Sequence, residues 1–106
     1  MSDPNEHLLA LDAVADALGE ATAAKDWERI KQLDLSARTH MEAASDAAKS
    51  DRVPVADVMR RLDRLKQLFE CARAEAVISR DAAAAELKAT GRTHQAAQAY
   101  LKQSNK

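Results

Sequence analysis

Residues 55–90 read VADVMRRLDRLKQLFECARAEAVISRDAAAAELKAT, and the fold turns on this stretch. Val55, Val58, Leu62, Leu65, Phe69, Ala72 and Ala76 recur at intervals of three and four, with Leu68 on the flank. Such spacing lays one apolar stripe along an α-helix, because about 3.6 residues complete a turn. Nothing breaks the run before Gly91, and Pro54 ahead of it suits a helix start, where its missing N–H has no partner to lose. A helix over residues 54–90 is about 55 Å long at ~1.5 Å per residue.

Working outward, the two preceding segments carry the same period. Leu8, Leu11, Ala15 and Leu18, flanked by Leu9 and Val14, predict a helix over residues 4–24. Asp3 is its expected N-cap, Pro4 its first residue and Glu6 the partner three places after the cap. Trp27, Ile30, Leu33, Ala37, Met41, Ala44 and Ala48 predict a second helix over 26–48. Lys25 suits the negative end of the first helix and Asp26 the cap of the second. Lys49 to Pro54 is the next turn. Downstream, Gly91 reads as a C-cap and Thr93 as an N-cap, which predicts a short fourth helix over 93–103 carrying Tyr100 and Leu101.

Connections this short join antiparallel neighbours. The expected fold is all-α: an antiparallel three-helix bundle with a short C-terminal fourth helix packed on the long third helix, in a single domain over residues 1–106. The first two helices reach only about 30–35 Å by the same rise, so the third outruns them and the fourth is its expected cover.

Composition narrows the function. Of the apolar residues, 24 are alanine, an excellent helix former that buries little surface, and only Trp27, Phe69 and Tyr100 are aromatic. Sixteen basic and 17 acidic side chains are interspersed, for a formal charge of −1, so no basic stripe awaits a nucleic-acid backbone. The single Cys71 excludes an internal disulfide and fits a reducing cytoplasm. No basic segment followed by an apolar run opens the chain, and no stretch approaches the ~20 apolar residues of a membrane span.

Sites for chemistry are scarce. His7, His40 and His94 fall on three different predicted helices with no pair at i, i+4, and Cys71 has no cysteine at ligand spacing, so neither a metal nor another cofactor is expected. His40 sits mid-helix, as a phosphotransfer histidine would. That chemistry wants a lysine nearby and a glycine one turn on, and those places hold Ala43 and Ala44. With no glycine-rich loop and no carboxylate pair in a foreseeable pocket, the chain reads as a binding protein and not an enzyme. Beyond Phe69 the third helix turns alanine-rich, leaving Val77, Ile78 and Leu87 as isolated large apolar residues. Adjacent Val77 and Ile78 point about 100° apart. The apolar face broadens there, as a surface meant for another helix would.

Two stretches carry a family resemblance. One is Ala24-Lys25-Asp26-Trp27-Glu28 after an amphipathic first helix. The other runs through Ser79-Arg80-Asp81, Glu86-Leu87 and Gly91-Arg92-Thr93 to Ala99-Tyr100. In order and spacing they resemble the FliT-type flagellar export chaperones across most of the chain. The resemblance implies a cytoplasmic protein that binds the flagellar filament-cap protein, prevents its premature assembly and delivers it to the type III export apparatus, with the export ATPase and export gate as further partners. It also implies a C-terminal helix, residues 93–103, lying over residues 65–87 and limiting access to the binding face. The expected partner-binding residues are Leu65, Leu68, Val77, Ile78, Leu87, Tyr100 and Leu101. The chain departs from the family in the short Leu101-Lys102-Gln103-Ser104 tail, which weakens the case for binding a transcriptional regulator. The alternative is a helical scaffold whose third helix pairs with a second copy of itself.

Overall fold

In the chain, helical segments meet two sharp reversals, at Lys25 and at Asp51, and both are built without glycine. The computed structural model describes Asp3 and residues 5–104. These form three helices: α1 (Glu6–Ala23), α2 (Trp27–Lys49) and α3 (Val55–Ser104), and no strand occurs among the described residues.

Each reversal is a Schellman closure. After α1, the Asp26 N–H donates to the Ala21 carbonyl at 2.9 Å and the Lys25 N–H to that of Thr22 at 3.1 Å. Lys25 takes φ 56°, the left-handed conformation this closure requires. After α2, Arg52 N–H donates to Ala47 at 2.9 Å and Asp51 N–H to Ala48 at 3.1 Å, with Asp51 at φ 57°. In both places the carbonyls left over at a helix end are satisfied by the chain that follows. The Asp26 carboxylate then caps α2 by accepting from Arg29 N–H at 3.2 Å, as its sequence position predicts.

The start of α1 departs from expectation. Helix begins at Glu6, and Asn5 occupies the cap position with a helical backbone and no side-chain cap bond. Asp3 instead closes a turn ahead of it: its carboxylate accepts from Asn5 N–H and its carbonyl from Glu6 N–H, both at 2.9 Å. The expected role of Pro4 lies outside the described residues.

The larger correction concerns the C-terminal half. No separate fourth helix over 93–103 exists; α3 runs unbroken through Gly91 to Ser104. Gly91 has no positive φ, and the Thr93 hydroxyl donates to the Ala89 carbonyl at 3.0 Å, the bond of a threonine inside a helix. A mid-helix glycine costs about 1 kcal/mol relative to alanine, too little to stop a helix with Ala89, Ala96, Ala97 and Ala99 around it. Residues 93–103 therefore continue α3 and form no separate helix. From Ile78 to Tyr100 the axis advances about 33 Å at ~1.5 Å per residue.

The chain divides into two compact units, residues 1–75 and residues 76–106. In the first, Leu8, Leu11, Val14 and Ala15 of α1 meet Ala37, Ala44, Ala47 and Ala48 of α2 and Val58 and Leu65 of α3, with Val53 from the second turn. Leu33, Met41, Leu62, Leu68 and Phe69 pack around this core half-buried. α2 brings mostly alanines to the fully buried part of the interface, and Ala37 and Ala44 are completely buried. Trp27 and Ile30, at the head of α2, are half-buried. Val55, expected in the stripe of α3, is exposed at the first residue of the helix.

Directions follow from side-chain pairs. His7 lies beside His40 while Ala23 and Trp27 flank a three-residue turn, so α1 and α2 run antiparallel. Arg61 Nε donates to Asp12 and Arg64 to Asp16, each at 3.1 Å, so the start of α3 runs parallel to α1. Arg61 also donates to the Asp57 carbonyl at 3.1 Å and is the less exposed of the two arginines. Exposed pairs of this kind contribute roughly 0.2–1 kcal/mol each. Burial of the Leu8, Leu11 and Leu65 side chains stabilises the fold more, by about 1.5–3 kcal/mol each.

Candidate functional site

From Ala76 onward α3 is helical for reasons that lie in its own sequence. Nine of the residues from Ala76 to Ala99 are alanines, four of them consecutive at Ala82 to Ala85. Alanine gives up no side-chain entropy on entering a helix. The stretch carries little to bury, and every described side chain from Arg80 to Gln103 is exposed.

Large apolar residues stand out against this background. Leu87 is 74% exposed, Ile78 60% and Val77 45%. Tyr100 and Leu101, expected to cover them, are themselves exposed on the same continuous helix. The seven sequence-selected residues are thus divided by the fold. Leu65 is sealed in the core of the first unit and cannot touch a partner. Leu68 is half-buried and, with Gly19, Thr22 and Cys71, lines an open depression of about 360 Å³ between the end of α1 and α3. A side chain added at Gly19 would meet nothing within 4 Å. The other five lie in the second unit.

At ~100° per residue, Ile78 and Leu87 point to opposite sides of the helix and Val77 lies between them. Ala76, Ala83, Thr90 and Ala97 recur every seven residues, and so do Leu87, His94 and Leu101, the two sets alternating at three and four. That second pattern has heptad spacing, with Arg80, Thr90 and His94 as polar members of the seam. Val77 and Ile78 lie off it.

Leu9, Leu35, Val55 and Met59, none of them expected to meet a partner, are also exposed in the first unit. Val55 and Met59 are one turn apart on α3. Leu9 is recognisable as off-stripe by its spacing, whereas Val55 fits the stripe and gives no such signal. No group of three or more His, Cys, Asp or Glu that could hold a metal occurs among the described residues. Cys71 is a free, exposed thiol. The structure does bring two histidines together that the sequence keeps 33 residues apart: His7 and His40, with Nδ1 atoms 3.2 Å apart. No helix among the described residues is long and apolar enough to cross a membrane.

Comparison with family models, with curated proteins and with solved structures finds no match to this chain.

Proposed function

We propose that this chain is a non-catalytic helical chaperone that presents the second half of α3 to an amphipathic segment of a client protein. The observation that carries the reading is the exposure of Val77, Ile78 and Leu87 on an uninterrupted helix. A helix that is apolar on several sides and buries none of them suits a client that embraces it. Since Ile78 and Leu87 face opposite ways, one client helix covers only one of them, and the client wraps the rod or contributes two segments. Each large side chain gains roughly 1.5–3 kcal/mol on full burial. Ordering a disordered client offsets part of this, which makes capture reversible, as delivery requires.

The resemblance in Asp26-Trp27-Glu28 and in the Arg80-to-Tyr100 run supports the flagellar filament-cap protein as the client, held in the cytoplasm and passed to the type III export apparatus, with its ATPase as the receiving partner. Without a folded-back fourth helix, access to the site needs no lid opening. The test is a titration of the full chain with the terminal segment of that cap protein. Ile78→Asp is expected to weaken binding at least tenfold while far-UV circular dichroism stays helical. Undiminished affinity in a Val77→Asp, Ile78→Asp, Leu87→Asp triple variant would refute the reading.

The heptad seam favours a second reading, a scaffold that pairs with its own copy through Ala83, Leu87, Thr90 and Ala97. The two readings separate at single residues. Self-pairing needs Leu87 and is indifferent to Ile78, so light scattering on Leu87→Asp and Ile78→Asp distinguishes them.

A further inference from the structure

We infer that the client segment covering the Leu87 side of α3 is an amphipathic helix with carboxylates along one edge, seated beside Lys88, Arg92 and Lys102. The inference rests on the client-binding reading and adds the partner's charge to it.

The net charge of −1 conceals an asymmetry. All 17 acidic residues precede Leu87, while Lys88, Arg92, Lys102 and Lys106 follow it. Leu87 and Leu101 lie about 40° apart around the helix, on one stripe about 21 Å long. Lys88, Arg92 and Lys102 fall within about 80° of one another on the adjoining flank. All five side chains are exposed.

Upstream on α3, several cations are answered by carboxylates: Arg60 meets Asp57, Arg61 meets Asp12, Arg64 meets Asp16 and Arg80 meets Asp81. Among the described residues, Lys88, Arg92 and Lys102 make no ion pair. No acidic residue lies three or four places from any of them. Lys88 and Arg92 are themselves four apart, a like-charge spacing that destabilises a helix and that bound carboxylates relieve. Cations also complement the negative end of a helix, but that effect is confined to the last turn and reaches only Lys102.

Carboxylates beside an apolar face are what this surface lacks, and a docked acidic helix supplies both. A second copy laid over the same residues, in either direction, brings no carboxylate. A lipid surface calls for a broader apolar face than Leu87 and Leu101, which share their stripe with Thr90, His94 and Ala97.

The test is fluorescence anisotropy with two labelled peptides, each titrated with the full chain. Both are designed amphipathic helices with the same leucine face; one carries glutamates along an edge and the other lysines. The glutamate peptide is expected to bind at least tenfold more tightly. A Lys88→Glu, Arg92→Glu, Lys102→Glu triple variant loses that preference, whereas Lys66→Glu keeps it. Equal affinity of the two peptides for the unaltered chain overturns the acidic edge and leaves apolar capture standing. Binding of neither overturns it as well, and the client titration with the Val77→Asp, Ile78→Asp, Leu87→Asp variant then judges the broader reading on its own. A preference retained in the triple variant, or lost in Lys66→Glu, also overturns the inference. Should the triple variant lose its helicity, the unaltered chain decides: raising sodium chloride from ~0.05 to ~0.5 M must erase the preference by screening exposed charges, and a preference that survives overturns the edge. Equal peptide affinities, together with co-sedimentation on vesicles of phosphatidylcholine and phosphatidylserine, would assign the cations to a lipid surface instead.

Discussion

Two residues take a backbone conformation that side chains ordinarily avoid. Lys25 and Asp51 sit at φ 56° and 57° because the Schellman closures of α1 and α2 need a left-handed residue there. The conformation costs an L-residue roughly 1–2 kcal/mol. At Lys25 a cation at a helix C-terminus offsets part of that cost, while at Asp51 an anion sits at the negative end of α2 and adds to it. Asp51→Gly is therefore expected to stabilise the protein by about 0.5–1 kcal/mol, more than Lys25→Gly, as read by urea denaturation. Gly91 offers the converse case. Inside a helix and with open space around its Cα, Gly91→Ala should add about 0.5–1 kcal/mol to local helix stability. Slower amide exchange across residues 88–96 would register it. If Gly91 instead ended a helix, alanine there would speed exchange. Neither left-handed residue was legible in the sequence, since nothing in a lysine or an aspartate announces positive φ, and Gly91 announced a boundary that alanine neighbours override.

At the scale of elements, α2 is distinctive for what it lacks. Ala37, Ala44, Ala47 and Ala48 occupy its buried face, and its large apolar residues Leu33 and Met41 pack around the core only half-buried. A bulky residue there has nowhere to go. Ala44→Leu is expected to cost about 1–3 kcal/mol by overpacking, and Leu65→Ala about 2–5 kcal/mol by opening a cavity in the facing helix; chemical denaturation measures both. The period of three and four placed α1, α2 and the first half of α3 within a few residues, because burial of one face forces that period on the sequence. It lost authority beyond Ala76, where no face is buried and composition is free of the constraint. Of the expected partner residues, Leu65 belongs to the core stripe, and Val77, Ile78 and Leu87 stand exposed off it. The His7–His40 contact had no signal at all, being set by the register of two helices against each other.

The whole molecule combines a unit with a core of its own and a helical segment with almost none. Residues 1–75 bring together α1, α2 and the start of α3 around Leu8, Leu11, Ala44 and Leu65. A fragment ending at Glu75 is expected to unfold cooperatively on heating, and a gradual, non-cooperative melt would show that its core is insufficient. The chain has one tryptophan and one tyrosine, and they fall on opposite sides of this division: Trp27 half-buried at the head of α2, Tyr100 exposed late in α3. Nature has thereby supplied a pair of built-in optical reporters. Excitation at the red edge interrogates the indole and follows melting of the N-terminal part, while the phenol's ultraviolet absorption tracks what happens near the other end, so a captured ligand and a loosened interior can be told apart in one unlabelled sample.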